Sequence, residues 1–385
     1  MEPTPTRVKE HIGIVTNETS TTQINFLITP LKNKTTVEKT DYILLDHPTH
    51  GENNPILAEV TEIKSYEEVV GAATNGKTAG NLIATAQILG YTNLQQKNHT
   101  LQKLLTPPTP GSRVYLPYVE FLEDTFTRDT NGKPYATPIH TGTQEATATT
   151  TKENRKPINH YLNAETLTTT HTLITGTANT GKTHTAIALT TEIANKTPQA
   201  ITIIDPHGEY GKLGENTKKP AQTITLHADE NAKDAKDKLA KAIKTSQTTI
   251  LNAEGLTPEE KRNTLTHYLT ALWKARTEKA IPPLLLIVED AETLKNETLE
   301  TIAHHGTKHG VALMLIARHP TELGAKILSQ TTTQIIGRTT DKDDLSYLQN
   351  MAMEKTALLP QLKQGQWIIN TPDRTQPTLT RTKQN

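Results

Sequence analysis

The phosphate-loop spacing G-x-x-x-x-G-K-[ST] occurs twice in this chain, and it restricts the possible folds more than any other feature. The two copies are GAATNGKT at 71–78 and GTANTGKT at 176–183. A phosphate loop works when a buried strand leads into it and a helix leaves it, because the N–H groups of the loop and of the helix N-terminus then converge on the phosphates. A copy that binds a nucleotide therefore requires an α/β sheet around it.

The residues that flank each copy distinguish the two. The second copy follows the apolar run TLIT and precedes the helix-like THTAIALTTEIANK. The first copy follows the charged SYEEVV and precedes NLIATAQILGY, which is typical of a strand. We therefore predict that the second copy binds ATP and that the first is a loop between barrel strands.

The chemistry of nucleotide binding assigns roles within the second copy. Gly176 and Gly181 allow the backbone to approach the phosphates closely, and the amides of 179–183 surround them. Lys182 is expected to neutralise the β- and γ-phosphate oxygens, and the Thr183 hydroxyl to bind Mg²⁺. The predicted nucleotide-binding residues of this segment are Gly176, Thr177, Ala178, Asn179, Thr180, Gly181, Lys182, Thr183 and His184.

The distribution of apolar runs predicts two domains. Short runs rich in Ile, Val, Leu and Thr recur across 11–91, which predicts a small barrel or sandwich. From residue 171 strands alternate with helical stretches, which predicts an α/β P-loop NTPase domain with a mostly parallel, RecA-like sheet. We place these domains at 1–105 and 161–385, with a connector rich in Thr, Lys and Asn at 106–160.

Composition excludes several other classes of protein. The 385-residue chain has no cysteine, which excludes a disulfide scaffold and a Cys-ligated zinc or iron–sulfur site. No apolar run approaches the ~18 residues of a membrane-spanning helix, and the N-terminus has no apolar signal core, so we expect a soluble, cytoplasmic protein. The formal net charge is zero, so contact with nucleic acid would depend on a local basic lining.

An ATPase also needs carboxylates at the ends of strands beside the phosphate loop. The run ITIIDPHGEY provides Asp205, and LLLIVEDAE provides Glu289 and Asp290. Because side chains alternate along a strand, one carboxylate of the adjacent pair can face the magnesium shell while the other reaches the attacking water. We therefore predict that the pair after LLLIV forms the hydrolytic site.

Beyond these motifs, the chain resembles the HerA branch of the HerA–FtsK superfamily of DNA-pumping ATPases. The resemblance is most specific at DPHGEY, which ends the strand after the phosphate-loop helix. In chain order it also includes HIGIVT to ILAEVTEI, PPTPGSRVY, ILNAEGLTPEEKR, LIVEDAETL, LIARHPTELGAKILSQTTTQIIGRTTDKDDL and LKQGQWIINTPDRTQP. It thus covers nearly the whole chain and implies a HerA-type β-barrel in front of the ATPase domain.

The resemblance implies a hexameric ring around double-stranded DNA, which moves the DNA through its pore by hydrolysing ATP at the subunit interfaces. The usual partner of such a ring is the nuclease NurA, with which it resects DNA ends in repair. For this chain it implies that Lys182 and Thr183 grip the nucleotide, that Glu289 binds Mg²⁺ and that Asp290 is the general base. The acids implied to lie near the phosphates are Asp205 and Glu209.

The chain also departs from the family pattern. Asp290 stands where the family has Glu and is one methylene shorter, and Arg318 stands where the family has a Gln that senses the γ-phosphate. The residues that replace family arginines are Thr170, Thr307 and His319. A ring ATPase needs a cation at the γ-phosphate, and the candidates are Arg318, Arg338, Arg155 and Arg276.

Other functions remain open from the sequence. The same motor could serve conjugation or the packaging of DNA by a mobile element. A small-molecule phosphotransferase or nucleotide switch is a second alternative, and a ring scaffold that hydrolyses ATP poorly is a third. The lysines that follow the DPHGEY turn and could line a DNA pore are Lys212, Lys218 and Lys219.

Overall fold

The computed structural model describes residues 6–29, 37–66, 81–96, 100–149, 155–228 and 232–382. The chain divides into two compact units. The first consists of Met1–Tyr135, Thr143–His160 and Asp373–Gln376, and the second of Ala136–Gly142, Tyr161–Pro372 and Pro377–Asn385.

Strands and helices are numbered here in chain order. The strands are β1 (Arg7–Thr19), β2 (Gln23–Ile28), β3 (Tyr42–His47), β4 (Gly51–Tyr66), β5 (Asn81–Tyr91), β6 (Arg113–Pro117), β7 (Pro138–Thr149), β8 (Arg155–Asn163), β9 (His171–Thr175), β10 (Ala200–Asp205), β11 (Ala221–Thr225), β12 (Thr248–Asn252), β13 (Leu284–Val288), β14 (Val311–Ala317), β15 (Thr331–Ile336), β16 (Gln366–Asn370) and β17 (Thr378–Thr382). The α-helices are α1 (Val119–Phe126), α2 (Ala164–Thr169), α3 (Lys182–Lys196), α4 (Ala232–Thr245), α5 (Pro258–Thr277), α6 (Glu297–His305), α7 (Pro320–Leu323), α8 (Ala325–Leu328) and α9 (Lys342–Ala352). Short 3₁₀ helices are formed by Leu213–Glu215, Ala291–Leu294, Thr307–His309 and Met353–Gln361.

Six antiparallel strands of the first unit close into a barrel in the order β1-β2-β5-β4-β3-β6. Alternate residues point into the barrel: Ile24 and Phe26 on β2 are buried, as are Ala84 and Ala86 on β5, while the residues between them are partly exposed. Closure of the sheet satisfies the strand edges that an open sheet would leave unpaired. The prediction of a β-barrel ahead of the ATPase domain is confirmed.

The first phosphate-loop copy, at 71–78, falls between β4 and β5 in the chain and lies outside the described residues. Its assignment as a loop between barrel strands therefore stays a prediction.

The stretch 106–160 differs from the connector that the sequence predicts, because it forms β6, α1, β7 and most of β8. β6 pairs with β1 and β3 in the barrel, and β7 and β8 lie at one end of the large sheet. Thr-rich composition suggests a linker, but Thr is β-branched and suits strands. The burial of Gln144, Ala146 and Ala148 at every second position is the alternation of a strand.

The second sheet has eleven strands in the order β11-β12-β10-β13-β14-β9-β15-β16-β17-β7-β8. From β11 to β15 every neighbouring pair is parallel, and β16 and β17 add antiparallel pairs beyond β15. β13 and β14 are buried along their whole length, which explains their unbroken apolar sequences. The predicted mostly parallel α/β sheet is confirmed, and the loops that follow its parallel strands meet at its carboxyl edge.

Helices cover both faces of this sheet. α4, α5 and α6 contribute to the hydrophobic core on one face, and α2 and α3 to the core on the other.

Within the described residues, no helix is long and apolar enough to cross a bilayer.

Helix α5 begins at a capping box that the sequence TPEE at 257–260 predicts and the structure confirms. The Thr257 hydroxyl accepts the N–H of Glu260 at 3.4 Å, and the Glu260 carboxylate accepts the N–H of Thr257 at 2.8 Å. Pro258 occupies the first helical position, where its missing N–H has no intrahelical partner to lose. Apolar residues recur along this helix at the spacing of one helical face, and Leu265, Tyr268, Leu269 and Leu272 on that face are buried in the core.

The variant Thr257→Ala should lower the free energy of unfolding by about 1 kcal/mol, because it leaves an N–H of the first turn without its partner. Thr277→Ala, at the exposed end of the same helix, is the matched control and should cost less. Urea denaturation of both variants measures the difference, and equal losses would contradict the capping role.

Candidate active site

The second phosphate-loop copy connects β9 to α3, as the sequence predicts. β9 is buried along its length, and α3 begins at Lys182. Gly176 and Gly181 adopt φ angles of 149° and 96°, in the region that favours glycine. A Cβ on Gly176 would lie 3.2 Å from the carbonyl oxygen of Arg338. The glycine therefore lets the loop pass close to the chain after β15, where the N–H of Thr177 donates to the same carbonyl at 2.7 Å.

The middle of the loop is open to solvent. Ala178 and Asn179 are exposed, and Asn179 has a φ angle of 60°. The Thr180 hydroxyl donates to the carbonyl of Thr177 at 2.9 Å, which closes the loop on itself. His184 is exposed on the first turn of α3.

The Lys182 side chain lies within the loop. Its Nζ donates to the carbonyl oxygens of Gly176 and Thr177 at 2.9 and 3.1 Å, and the residue is 8% exposed. Burial, followed by the positive charge of Arg318, lowers the pKa of this ammonium from its ordinary value. An anion bound in the loop would relieve that cost, which agrees with the role predicted for Lys182 at the phosphate oxygens.

Hydrogen bonds link three segments of the chain beside the loop. The Thr183 hydroxyl contacts Glu289 Oε1 at 3.0 Å and Glu209 Oε2 at 3.2 Å, and the Tyr210 hydroxyl donates to Glu289 Oε2 at 2.6 Å. The first turn of α3, the end of β13 and the turn after β10 therefore meet at one point. The resemblance implies that Thr183 and Glu289 both lie at the cation. The sequence does not predict the contact of Tyr210, although Tyr210 belongs to DPHGEY.

Glu289 is a buried carboxyl group with an altered proton affinity. It is 3% exposed, and burial raises its pKa to about 7, although the hydrogen bonds from Tyr210 and Thr183 act in the opposite direction. The negative charges of Glu209 and Asp290 raise the pKa as well. A divalent cation beside Glu289 would favour the ionised form. The hydroxyl and carboxylate oxygens around Thr183 are the donors that Mg²⁺ prefers, so these residues fit the cation.

Asp205 organises the DPHGEY turn. The residue is fully buried; its Oδ1 accepts the N–H groups of His207, Gly208 and Glu209 at 3.2, 2.8 and 3.1 Å, and its Oδ2 accepts that of Tyr210 at 3.0 Å. The resemblance implies that Asp205 lies near the phosphates as a nucleotide-binding acid. In the structure both of its oxygens are occupied by the backbone of its own turn, so its role is to shape that turn.

Asp290 lies directly after β13, with its backbone in the left-handed region at a φ angle of 46°. Its Oδ2 is 2.7 Å from His207 Nε2, and its Oδ1 is 3.7 Å from Arg318 Nε. Each oxygen of the predicted general base therefore faces a nitrogen group. We missed the contact with His207, although His207 also belongs to DPHGEY.

The candidate arginines occupy different places. Arg318 follows β14, and its side chain is 54% exposed. Arg338 is exposed, with its Nε 3.5 Å from the Thr177 hydroxyl. Arg276 donates to the carbonyl of a residue ahead of β13, near the amino edge of the sheet and away from the phosphate loop. The side chain of Arg155 lies outside the described part of the chain.

The lysines after the DPHGEY turn are exposed, and two of them lie away from the loop. The N–H of Lys218 donates to Asn195 near the C-terminal end of α3, and Lys219 precedes β11. Lys218 and Lys219 are therefore near the amino edge of the sheet, opposite the edge that carries the phosphate loop. Whether they line a DNA pore stays a prediction.

Comparisons with known proteins identify relatives of this chain. The family model for the central domain of the HerA helicase matches residues 147–357. The DNA double-strand break repair helicase HerA of Sulfolobus acidocaldarius is 28% identical over 146 residues, which are 33% of this chain and 30% of that protein. The probable HerA helicase of Methanocaldococcus jannaschii is 39% identical over 80 residues, which are 19% of this chain and 16% of that protein. The matches thus span less than a third of these relatives.

Two solved structures illustrate the similarity in chain path. VirB4 of Thermoanaerobacter pseudethanolicus aligns over 65% of this chain and 97% of its own, with a TM-score of 0.46 and 12% identity. The DNA-packaging ATPase of Sulfolobus turreted icosahedral virus aligns over 57% of this chain and 100% of its own, with a TM-score of 0.42 and 15% identity.

The proton affinity of Glu289 predicts a pH dependence of stability in the absence of metal ions. Because its pKa rises from 4.5 to about 7 in the folded chain, the folded state binds the proton more tightly, and stability falls as the pH rises across that interval. In Glu289→Gln this fall should be smaller by about 1–3 kcal/mol. Urea denaturation in EDTA at pH 4.5 and pH 8 measures it.

The matched control is Glu209→Gln, which removes an exposed carboxylate beside the same Thr183 hydroxyl. Because burial is the largest cause of the raised pKa of Glu289 and the Glu209 charge is a smaller one, this variant should keep most of the pH dependence of the wild type. A Glu289→Gln variant whose stability falls with pH as steeply as the wild type would contradict the raised proton affinity.

Proposed function

The chain belongs to the family of the HerA helicase central domain, and from this membership we propose that it is an ATP-driven translocase of double-stranded DNA. The observation that carries the proposal is the contact between Thr183, at the end of the phosphate loop, and Glu289, at the end of β13. This contact supports nucleotide hydrolysis at the carboxyl edge of the sheet. Membership of the family supports DNA as the molecule that is moved.

The nucleotide is held by the loop and by the first turn of α3. The N–H groups of 179–183 surround the phosphates, and Lys182 turns its ammonium from the loop carbonyls to the β- and γ-phosphate oxygens. Thr183 and Glu289 would hold Mg²⁺, which when bound would neutralise charge on the phosphates. Tyr210 keeps the Glu289 carboxylate turned towards Thr183 through its 2.6 Å hydrogen bond.

Hydrolysis depends on residues that lie beside the phosphate loop. Asp290 acts on the attacking water, and Glu209 lies near the phosphates because it contacts Thr183. Arg318 stabilises charge that develops on the γ-phosphate. Its guanidinium is half exposed and only loosely paired with Asp290 at 3.7 Å, so it is free to turn towards a nucleotide.

The assembly is proposed from the family. Six chains form a ring around duplex DNA in the cytoplasm, and a NurA-like nuclease acts with the ring in the processing of DNA ends. The ATP at each interface also receives a cation from the neighbouring chain, for which Arg338, Arg276 and Arg155 are the remaining candidates. The barrel of β1 to β6, which extends to Pro117, is the accessory domain, and the ATPase domain at 161–385 is the motor.

The proposal predicts that ATP hydrolysis is stimulated by double-stranded DNA. Thr183→Ala should lower the DNA-stimulated rate by about 100- to 1,000-fold, because it removes an oxygen from the cation shell at the transferred phosphate. The matched control is Thr191→Ala on the same helix, whose hydroxyl donates to the carbonyl of Ile187 one turn earlier. Release of phosphate, with and without linear duplex DNA, measures the rates.

Two outcomes would contradict the proposal. ATP turnover by the wild type that is indifferent to DNA would favour a small-molecule phosphotransferase. Equal ATP hydrolysis rates in Thr183→Ala and Thr191→Ala would show that this phosphate loop is not the site of hydrolysis.

A further inference from the structure

The backbone of Arg318 is held by Glu292, a carboxylate that has no role yet in the proposed hydrolysis. Glu292 Oε1 accepts the N–H of Arg318 at 2.9 Å. Arg318 directly follows β14, and Glu292 lies in the short 3₁₀ helix Ala291–Leu294, which follows the neighbouring strand β13. The hydrogen bond therefore joins the two loops that leave these parallel strands at the carboxyl edge of the sheet.

The position of Glu292 is fixed by its neighbours in the 3₁₀ helix. Ala291 and Leu294 are buried in the same hydrophobic core as Ala317, the last residue of β14. Because a packed core resists displacement of the residues within it, the backbone that carries the carboxylate stays close to Arg318.

The Glu292 carboxyl group is costly to keep in this position. Its Oε2 is buried and has no hydrogen-bond partner within the described residues. Burial is the largest cause of its raised pKa, and the hydrogen bond from the N–H of Arg318 acts in the opposite direction. A buried polar atom without a partner lowers stability, so a side chain kept at that cost indicates a role other than stability.

The charges of Arg318 and Glu292 both act on the ammonium group of the phosphate loop. After burial, the positive charge of Arg318 is the largest cause of the lowered pKa of Lys182, and the negative charge of Glu292 acts in the opposite direction. The Nε atom of Arg318 also lies 3.7 Å from Asp290 Oδ1. The guanidinium is therefore beside the loop and beside the residue that acts on the attacking water in the proposed function.

A second carboxylate holds the residues that follow Arg318. Asp344 is buried; its Oδ1 accepts the N–H and the hydroxyl of Thr321 at 3.2 and 2.7 Å, and its Oδ2 lies 2.9 Å from His319 Nδ1. These contacts do not involve Glu292. Removal of the Glu292 carboxylate should therefore release the backbone of Arg318 while the rest of the turn stays in place.

We propose that Glu292 is a positioning residue of ATP hydrolysis, which fixes the backbone of Arg318 so that the guanidinium reaches the γ-phosphate. This inference rests on the proposed function, in which Arg318 stabilises charge on that phosphate. Because the charge develops as the phosphate is transferred, a misplaced guanidinium lowers the hydrolysis rate more than the affinity for ATP.

The test is single-turnover ATP hydrolysis by the full chain with duplex DNA present. Glu292→Ala should lower the rate by about 10- to 100-fold, because a catalytic group that is misplaced by about 1 Å loses that much. Its equilibrium affinity for a non-hydrolysable ATP analogue should stay that of the wild type. Glu292→Gln keeps an oxygen that can accept the N–H of Arg318, so it should retain most of the wild-type rate.

The matched control is Glu322→Ala, which removes an exposed carboxylate from the segment that follows Arg318. This variant should leave both the rate and the analogue affinity unchanged. Circular dichroism and the thermal midpoint show whether each variant is folded. If Glu292→Ala is unfolded, Glu292→Leu replaces it in the test, because leucine fills most of the same space without an acceptor.

A double-variant comparison tests whether Glu292 acts through Arg318. If it does, adding Glu292→Ala to Arg318→Ala should not lower the rate further. Losses that multiply in the double variant would overturn the inference, because the two residues would then act independently.

Three results with the single variants would also overturn the inference. They are a wild-type rate in Glu292→Ala, a loss of analogue affinity as large as the loss of rate, and a Glu292→Gln variant as slow as Glu292→Ala. The last result would show that the charge of Glu292 matters and not its hydrogen bond to the backbone.

Failure of the inference can be distinguished from failure of the proposed function. A wild type without DNA-stimulated hydrolysis contradicts the proposed function, and the inference with it. A wild type with DNA-stimulated hydrolysis and a fully active Glu292→Ala variant contradict the inference alone.

Discussion

The hydrogen bonds that Glu289 accepts from Thr183 and Tyr210 are the interaction on which the rest of the site depends. They join the first turn of α3, the end of β13 and the turn after β10, which are far apart in sequence. The parallel sheet makes this meeting possible, because β10 and β13 pair directly and end at the same edge. Burial makes the carboxylate costly to ionise, and the two hydroxyl donors offset only part of that cost. A cation beside Glu289 would offset the remainder of that cost. Cation binding would therefore stabilise the site with Glu289 ionised.

Asp205 stabilises this arrangement through the turn that follows β10. A fully buried carboxylate that accepts four backbone N–H groups holds the DPHGEY turn in one shape, and the turn then delivers Tyr210 to Glu289 and His207 to Asp290. Groups fixed in this way need little rearrangement when charge develops in a reaction. A short polar hexapeptide thus contacts both carboxylates that follow β13, and its acidic first residue accepts hydrogen bonds from the backbone of the turn.

The sequence predicts the sheet, the loop that joins β9 to α3, and the barrel, because each depends on local patterns: apolar runs, a Gly-rich turn and alternation along a strand. The strand ends predict that one carboxylate of the pair after β13 lies near the phosphate loop, and the resemblance to the HerA family implies that it is Glu289, beside Thr183. The structured stretch at 106–160 is missed because Thr counts as polar in composition while its β-branched side chain suits strands. The contacts of His207 and Tyr210 are missed because they depend on how a turn folds back on itself, which spacing alone does not determine.

The central claim is that nucleotide binds at 176–183 and not at the identical spacing at 71–78. Equilibrium titration of the wild type, Lys182→Ala and Lys77→Ala with a fluorescent ATP analogue tests it most directly. We expect Lys182→Ala to lose binding and Lys77→Ala to retain the wild-type affinity. Full affinity in Lys182→Ala together with loss of binding in Lys77→Ala would contradict the account.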